Sequence, residues 1–519
     1  MKIKYILPLA ALVFLTSCSV KSNDDFTTLD NSNADTIIDI IEINDLHGYV
    51  NKASDSENYD LSNISYYINE KRAKKNNEVV LIGNGDMFEG TAFSNLSQGL
   101  STVKVMNEMG FDMMGIGNHE YSWGLDTILN YFDGNQDNGE ANFPLINGNV
   151  YKENQRYSEE DTNDIILPYT IVKKGDFKVG ILSYIGDIAS SISQTKLVDY
   201  KIKASLSFFK RQVYDDAKAL KEEGCDFIVF NVHGGDTRGL SNYNVNQAIC
   251  NLKDEESNKY LIDAIINGHT HSKQSEYITR EDGYKLPLVQ GGCYGNSFGE
   301  IQLAINSKEK KITKTKTEVI YVNNLNKNNK EENTKNRIDL EFSKIETILK
   351  KTYGNNPYNL SRAALGNLLA KEMRIATSAD VSIMNTGGIR TDLDKGVISF
   401  EKIYEVYPFE NHIICLKALG SELNDWVETQ SSYYYMDYTI DPGYDKPFDD
   451  DKTYNVVTID YVYDSTYFAS TFHNYTFVSS SNITTPRDYF ISDLENRNEE
   501  TFNINGQIKV TVKPFGELE

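Results

Sequence analysis

Five short polar clusters between Asp45 and His271 each follow an apolar run, and they carry side chains of the types that bind metal ions. The clusters are NDLHG with Asp45 and His47, GNGD with Asp86, GNHE with Asn118 and His119, NVHGG with His233, and GHTH with His269 and His271. The chain has seven histidines, and five of them lie in these clusters. That concentration favours a shared chemical role over five separate structural ones.

Oxygen and imidazole ligands without sulfur suit Mn, Zn, Fe or Co. Metals of this kind work in pairs about 3.5–4 Å apart, where they activate water and hold phosphoryl oxygens. A pair needs a bridging carboxylate, and Asp86 is the natural candidate. Taken singly, Asp45 is also suited to cap a helix and Asp86 to a turn. Because all five clusters close hydrophobic runs, we interpret them as one centre for two divalent metal ions.

The elements that must position these residues alternate between strands and helices. TIIDIIEIND, EVVLIGNGD, FDMMGIG and CDFIVFNVHGG are typical of buried strands, and LSNISYYINEKRAKK, LSTVKVMNEMG and SLSFFKRQVYDDAKALKEEG are helical patterns. NKYLIDAIINGHTH is expected to mix a helix with a short strand. The alternation predicts a layered α/β domain, in which ligands bind at strand ends. In extended chain, Asp45 and His47 would point to one side, as would His269 and His271.

The five motifs resemble those of the calcineurin-like metallophosphoesterases, and within them the bacterial 5′-nucleotidase, UDP-sugar hydrolase and 2′,3′-cyclic phosphodiesterase family. The resemblance extends from about Ile38 to Ala469. It implies an α/β fold with a four-layer α/β/β/α metallophosphoesterase domain, joined by a helix to a smaller α/β substrate-binding domain. It also implies the ligand sets: Asp45, His47, Asp86 and His271 for one metal, and Asp86, Asn118, His233 and His269 for the other.

The same resemblance leaves His119 without a metal and implies that it stabilises the phosphate or donates a proton to the leaving group. In the family an Asp three residues later orients this histidine, but here that position is Ser122. We therefore expect either a lowered pKa for His119 or a substitute carboxylate, with Glu120 and Asp126 as the candidates. The glycines around the motif are expected to let backbone and phosphate approach closely.

The C-terminal part carries the motifs that the resemblance assigns to the substrate. RAALGNLLAKEMR contains the Leu-Gly-Asn-Leu helix, but the arginine that usually precedes it is displaced to Arg362. The Gly-Gly-Asp-Gly loop, whose Asp holds the ribose, is replaced by Ser-Thr-Tyr-Phe, with Asp464 nearby. The residues implied to bind substrate are Asn385, Gly387, Gly388, Arg390, Phe409 and Tyr461. The alternatives are a solvated surface turn for Arg390 and a plain core position for Phe409.

The N-terminal residues MKIKYILPLAALVFLTSC resemble a bacterial lipoprotein signal that ends at Cys18, which would carry the lipid. An ordinary secretory signal with an incidental cysteine is the alternative. We expect residues 1–18 to be this signal, 19–36 a flexible tether, and 37–322 the catalytic domain. Residues 323–355 are expected to form a linker and connecting helix, and 356–519 the substrate-recognition domain. The predicted location is the cell surface or periplasm, with the membrane reached through the lipid alone.

The formal net charge of −23 argues against long nucleic acid as a ligand. The sequence predicts a two-metal phosphohydrolase acting on nucleotides, with a monomer as the default. A 2′,3′-cyclic nucleotide, a nucleotide sugar or another phosphate ester remain as substrates, and a non-catalytic nucleotide-binding lipoprotein is the second alternative. Cys225, Cys250, Cys293 and Cys415 lack the CxxC spacing of a thiolate metal site. One disulfide among them is allowed, although Cys225 and Cys293 are expected in the core.

Overall fold

The computed structural model describes residues 27–28, 33–51, 59–152, 155–156, 165–193, 196–197, 199–234, 242–438, 447–481 and 485–496. Cys18, the expected signal segment and most of the expected tether lie outside these residues. Within the residues that the structure describes, none of the helices has the length and apolar character needed to span a bilayer.

The first domain contains seventeen strands and six helices, and a long helix follows it. The strands are β1 (Thr27–Thr28), β2 (Thr36–Ile43), β3 (Asn77–Asn84), β4 (Met113–Gly115), β5 (Leu145–Ile146), β6 (Val150–Lys152), β7 (Gln155–Arg156), β8 (Ile166–Leu167), β9 (Tyr169–Lys174), β10 (Phe177–Ile185), β11 (Tyr200–Ile202), β12 (Phe227–His233), β13 (Ala264–Gly268), β14 (Lys273–Thr279), β15 (Lys285–Gly291), β16 (Ser297–Asn306) and β17 (Lys311–Tyr321). The helices are α1 (Leu61–Arg72), α2 (Ala92–Asn95), α3 (Leu100–Met109), α4 (Leu125–Leu129), α5 (Leu206–Glu222), α6 (Asn242–Cys250) and α7 (Glu332–Leu349). These counts refer to the described ranges alone.

Two sheets pack face to face in this domain. One has the order β1-β17-β16-β2-β3-β4-β5-β8 and the other β14-β15-β13-β12-β10-β9. Side chains of both sheets, such as Ile40 and Val229, meet in one buried cluster between them. Helices α1 and α3 cover the outer face of the first sheet, and α5 covers the outer face of the second. The domain is thus the four-layer α/β/β/α fold that was expected.

Strand β2 shows why the central strands read as nearly continuous apolar runs. Ile38 and Ile40 face the other sheet, whereas Ile41 and Ile43 face the helical layer. Successive side chains of a strand point to opposite faces, so a strand that is covered on both faces needs apolar residues at almost every position. The parallel pairing of β2, β3, β4 and β5 brings their carboxyl ends to one edge.

The second domain is built on one mixed sheet with the order β22-β19-β23-β21-β24 and a separate β18-β20 pair. Its strands are β18 (Thr352–Asn356), β19 (Val381–Asn385), β20 (Gly396–Ser399), β21 (Ile413–Leu419), β22 (Tyr434–Tyr438), β23 (Thr453–Ile459) and β24 (Thr476–Ser480). Its helices are α8 (Arg362–Thr377), α9 (Phe400–Val406), α10 (Gly420–Gln430), α11 (Asp460–Tyr463), α12 (Thr466–Thr471) and α13 (Pro486–Asn496). Gly366 of α8 is required by packing, because a Cβ there would lie 2.1 Å from the Tyr435 ring.

One expectation about local structure is wrong. The stretch NKYLIDAIING forms no helix; it runs as a loop into the short strand β13. Helix α7, from Glu332 to Leu349, lies within the range 323–355 that was expected to hold a linker and a connecting helix. None of the four described cysteines is in a disulfide. Cys225, Cys250 and Cys415 are buried, whereas Cys293, which was expected in the core, is partly exposed.

Candidate metal centre and substrate cavity

The polar clusters meet where strands of both sheets end. Five of the side chains predicted to bind metal have a left-handed backbone, with φ between 49° and 76°: Asp45, His47, Asp86, His269 and His271. This conformation is rare outside glycine and concentrates at functional sites, where the surrounding fold holds it. The residues therefore lie in tight turns after the strands. The expectation that each Asp-x-His or His-x-His pair converges through extended chain is wrong, because the turns bring them together.

The first group of potential ligands contains Asp45, His47 and His271. The Nε2 atoms of His47 and His271 are 3.1 Å apart, and His271 Nε2 lies 3.5 Å from Asp45 Oδ1. Asn44 donates to Asp45 Oδ2 at 2.5 Å and to the Gly292 carbonyl at 2.8 Å. The Glu89 carbonyl accepts from His47 Nδ1 at 2.7 Å. These contacts fix the ring and the carboxylate, so that His47 Nε2 and Asp45 Oδ1 both lie beside His271 Nε2.

The second group contains Asp86, His233 and His269. His233 Nε2 lies 3.1 Å from Asp86 Oδ2, and His233 Nδ1 is held by the Asn84 carbonyl at 2.7 Å. His269 Nδ1 lies 2.8 Å from Asn118 Oδ1, which brings the predicted amide ligand to the same point. Asp86 also lies 4.0 Å from His47 of the first group, as a bridging carboxylate requires.

The donor set fits divalent metals. Asp45 Oδ1 is buried and has no hydrogen-bond partner, so it keeps a lone pair for another ligand. Burial lowers the pKa of His233, but Asp86 outweighs burial and raises that pKa to about 10, so without a metal the ring pairs with this carboxylate. Burial lowers the pKa of His269 to about 4 and that of His271 to about 3, which leaves both rings in the neutral form that binds metal. Burial also raises the pKa of Asp45 to about 7; His233 lowers it, and the neighbouring Asp86 carboxylate raises it further.

Gly117 explains part of the GIGNHE spacing. A Cβ at this position would lie 2.3 Å from Asp86 Oδ1 and 2.8 Å from His233 Nε2. Only glycine lets the turn pass this close to two potential ligands. This close contact is with two potential metal ligands; the approach of a phosphate to the glycines stays a prediction.

His119 begins a short 3-10 helix after Asn118, and its ring nitrogen Nδ1 lies 2.6 Å from Glu89 Oε2. Ser122 Oγ donates to the same oxygen at 2.5 Å. Burial alone would lower the pKa of His119, but Asp86 and the hydrogen bond to Glu89 raise it above the usual value. The expectation of a lowered pKa for His119 is therefore wrong.

A substitute carboxylate is present, but it is neither of the two that were expected. Glu120 is fully buried and accepts the backbone N–H groups of Asp86, Met87 and Gly117, so it shapes the turn. Asp126 accepts from Tyr200 at 2.5 Å. Sequence reasoning missed Glu89, and the signal available was an acidic residue inside the otherwise apolar stretch MFEG.

A cavity of about 380 Å³ lies between the metal groups and the second domain. This volume is within the usual range for small-ligand sites. Five of the six residues predicted to bind substrate line this cavity, namely Asn385, Gly387, Arg390, Phe409 and Tyr461. The sixth, Gly388, is buried. Lys196 and Asn411 also line it and were not foreseen.

Arg390 and Phe409 form one surface of this cavity. Arg390 lies 5.2 Å from the centre of the Phe409 ring and donates from Nη2 to Tyr294 Oη at 3.3 Å. Tyr294 belongs to the first domain and packs against His271, with 5.2 Å between ring centroids. The arginine thus contacts Tyr294 across the domain boundary and lines the cavity, which argues against the alternative of a solvated surface turn.

The altered second-domain stretches do not supply a ribose-binding carboxylate to the cavity wall. Asp464 accepts from Ser193 of the first domain, Phe468 is buried, and Tyr467 is exposed. Arg362 is exposed at the start of α8 and is absent from the residues that line the cavity. The described second domain therefore lines the cavity with Arg390, Phe409 and Tyr461, and it adds the acidic residue Glu410. Asp464 instead joins the two domains.

Two family models match the chain. The model described as calcineurin-like phosphoesterase matches residues 38–273, and the one described as 5′-nucleotidase, C-terminal domain matches residues 347–469. Among curated proteins, the chain is 27% identical over 439 residues to "Endonuclease YhcR" of Bacillus subtilis, covering 77% of this chain and 33% of that protein. It is 24% identical over 401 residues to "Snake venom 5'-nucleotidase" of Crotalus adamanteus, covering 70% and 63%. The chain thus spans less than two thirds of either relative.

Among solved structures, the fold is similar to that of a 5′-nucleotidase precursor from Thermus thermophilus, with a TM-score of 0.69 and 18% identity. The superposition covers 92% of this chain and 99% of that one. The similarity therefore extends to the arrangement of both domains.

Proposed function

We propose that the chain releases phosphate from nucleotides. The chain belongs to the calcineurin-like metallophosphoesterases that carry a 5′-nucleotidase C-terminal domain, and these are metal-dependent phosphoester hydrolases. The observation that carries this proposal is the cavity between the two domains. One wall holds Asp86, Asn118, His119, His269 and His271, and the other holds Arg390, Phe409 and Tyr461. A phosphate at the first wall would leave its organic group against the aromatic rings of the second.

The proposed metal sets are those of the resemblance: Asp45, His47, Asp86 and His271 for one ion, and Asp86, Asn118, His233 and His269 for the other. When bound, two divalent ions would supply a water of lowered pKa and neutralise charge on the phosphoryl oxygens. The side chains of these two sets would hold the ions, and Arg390 would bind the phosphate from the second domain.

The reaction proposed is hydrolysis at phosphorus. A water oxygen forms a bond to phosphorus, the bond from phosphorus to the ribose 5′-oxygen breaks, and that oxygen takes a proton. Nδ1 of His119 is engaged by the Glu89 carboxylate, so Nε2 is the nitrogen that donates this proton. The products are a nucleoside and inorganic phosphate.

The test is phosphate release by the full chain, purified in detergent, stripped of metal and supplied with Mn²⁺, Co²⁺ or Zn²⁺. The substrates are AMP, UDP-glucose, 2′,3′-cyclic AMP, p-nitrophenyl phosphate and a single-stranded DNA oligonucleotide. We expect metal-dependent turnover of AMP, two metal ions per chain by mass spectrometry, and loss of about 10²–10⁴-fold in His119→Gln, the contribution of a positioned acid. His473→Gln is the matched control, because His473 is exposed.

Three outcomes would contradict parts of this proposal. Turnover of the aryl phosphate alone would retain a phosphohydrolase and reject nucleotides as substrates. Cleavage of UDP-glucose or the cyclic nucleotide in preference to AMP would select one of the alternative substrates. Binding of AMP without turnover, with both metals present, would support a nucleotide-binding lipoprotein.

We further propose that Cys18 carries a lipid and that the protein acts outside the cytoplasm. The support is the run KIKYILPLAALVFLTSC, in which lysines precede an apolar stretch that ends at the cysteine. Incorporation of radiolabelled palmitate into the full chain, and its loss in Cys18→Ala, would test this. Equal labelling of both proteins would reject lipidation at this residue.

A further inference from the structure

Glu89 is a buried carboxylate that is held by three hydrogen bonds at the edge of the cavity. Oε2 accepts from Ser122 Oγ and lies 2.6 Å from His119 Nδ1, while Oε1 accepts the backbone N–H of Glu410 at 3.1 Å. Its side chain is 3% exposed. Both oxygens are therefore engaged, and the carboxylate has one orientation with respect to the imidazole ring.

Glu89 and His119 are 30 residues apart and come from different strand ends, after β3 and β4. The position three residues after His119 is Ser122, whose hydroxyl cannot pair with an imidazolium as a carboxylate does. It instead donates to Glu89 and steadies the carboxylate that does so. The negative charge beside His119 thus comes from Glu89, in the loop that follows Asp86, and Ser122 holds that carboxylate with a hydrogen bond.

We propose that Glu89 is the positioning residue of His119, and that Glu89 with Ser122 replaces an aspartate at position 122. This inference rests on the proposed function for its catalytic consequence. Through Nδ1, Glu89 fixes the rotation of the ring and the tautomer, so that Nε2 carries the proton toward the leaving oxygen. Glu89 does not touch the substrate in this assignment.

The bond from Glu410 adds the second domain to the same unit. Glu410 lies next to Phe409, and its side chain is held by Arg487 at 2.6 Å. Because the Glu410 N–H reaches Glu89 from the other domain, the orientation of His119 depends on both domains being in contact. A variant that weakens the carboxylate therefore disturbs the proton donor, while Arg390, Phe409 and Tyr461 on the opposite wall stay unchanged; Glu89 and Ser122 themselves line the cavity.

The test compares Glu89→Gln, Ser122→Ala and the double variant Glu89→Gln/Ser122→Asp on AMP and p-nitrophenyl phosphate. A positioned acid contributes about 10²–10⁴-fold, mostly for basic leaving groups, so we expect Glu89→Gln to lower kcat about 10–100-fold on AMP and less than about threefold on the aryl phosphate. KM is expected to stay constant, and the double variant to regain most of the loss. Ser122→Ala keeps the Glu89 carboxylate. We expect it to lower kcat by a smaller factor than Glu89→Gln does, again more on AMP than on the aryl phosphate. Glu428→Gln, an exposed glutamate, is the control.

Equal losses on both substrates, a change in KM alone, or a double variant no more active than Glu89→Gln would overturn the proposal. Metal content and near-ultraviolet circular dichroism show whether each variant has folded. If Glu89→Gln has not folded, the kinetics of Ser122→Ala on the two substrates test the proposal. Ring ¹⁵N shifts in the metal-free protein test the contact without turnover. Only the His119 signals, assigned from His119→Gln, are expected to move in Glu89→Gln. An inactive wild-type protein with this shift would reject the proposed function and retain the contact, whereas unmoved His119 signals would reject the contact.

Discussion

The ring of Phe409 in the second domain stacks on the ring of His119 in the first, with 5.5 Å between centroids and 22° between planes. The contact of Phe409 with the base of a nucleotide stays a prediction; the contact that the structure shows is the one with the histidine. We expect Phe409→Leu to raise KM for AMP about 2–10-fold, since an aromatic pair contributes about 0.5–1.5 kcal/mol beyond its area. Steady-state kinetics on AMP measure this effect.

The same variant is expected to lower kcat slightly on p-nitrophenyl phosphate, which has no base to stack, because His119 loses a neighbour that limits its motion. Phe477→Leu is the control, as Phe477 is 48% exposed. A rise in KM with an unchanged kcat on the aryl phosphate would show that the contact with His119 has no catalytic effect.

Asn44 is expected to contribute to metal affinity, because its side chain hydrogen-bonds to the Asp45 carboxylate and to the backbone of Gly291 and Gly292. Residues that orient a metal ligand typically contribute 10–100-fold in affinity, so we expect Asn44→Ala to weaken Mn²⁺ binding by about 10–100-fold. Competition with a chromophoric chelator measures the change. Asn130→Ala, on the exposed end of α4, should match the wild-type protein. Equal affinity in Asn44→Ala would contradict the role of this residue.

The potential metal ligands could be identified from the sequence because each follows a recognisable strand. His233 ends the strand FIVFNVH, which is apolar except for Asn231 and His233, and a polar residue at the carboxyl end of such a strand marks the edge where an open sheet binds ligands. The left-handed turns were not foreseen, because His269 and His271 also fit extended chain when only their spacing is known. The four-layer fold followed from the motifs together with alternating helical and strand patterns.

Contacts between distant parts of the chain could not be read in this way. Glu89 reaches Ser122 across 33 residues, and Asp464 reaches Ser193 across 271. No periodicity or spacing encodes such pairs, since they depend on how the loops pack. The missing helix before β13 has another cause: a short apolar run such as YLIDAII fits a helix and a strand equally well.

Arg390 is expected to bind the phosphate, because it lines the cavity. Its guanidinium also donates a hydrogen bond to Tyr294 of the first domain. Arg390→Lys keeps the charge but removes the planar fork. A hydrogen bond to a charged group contributes about 1.5–3 kcal/mol, so we expect kcat/KM for AMP to fall about 10–100-fold. Arg362→Lys, on the exposed start of α8, is the matched control and should leave kcat/KM unchanged. A similar fall in both variants would return Arg362 to the site.

Asp460 provides a prediction for the pH dependence of stability. It is 2% exposed at the start of α11, where Oδ1 accepts the Tyr461 N–H at 2.8 Å and Oδ2 has no hydrogen-bond partner. Burial raises its pKa to about 6, against an effect of Lys196 in the opposite direction. The folded state therefore binds this proton more tightly than the unfolded state, whose carboxyl titrates near 4.

The stabilising effect of that proton is complete below about pH 4 and is lost as the pH rises through 6. Asp460→Asn stays neutral, so its advantage over the wild-type protein should grow between pH 4 and pH 6 and stay constant above pH 7. A shift of about two pKa units corresponds to roughly 2–3 kcal/mol in the free energy of unfolding. Urea unfolding at pH 4.5 and pH 8 measures the difference, with the exposed Asp425→Asn as control. An advantage that is equal at both pH values would show that Asp460 stays ionised in the folded protein, with Lys196 compensating for its burial.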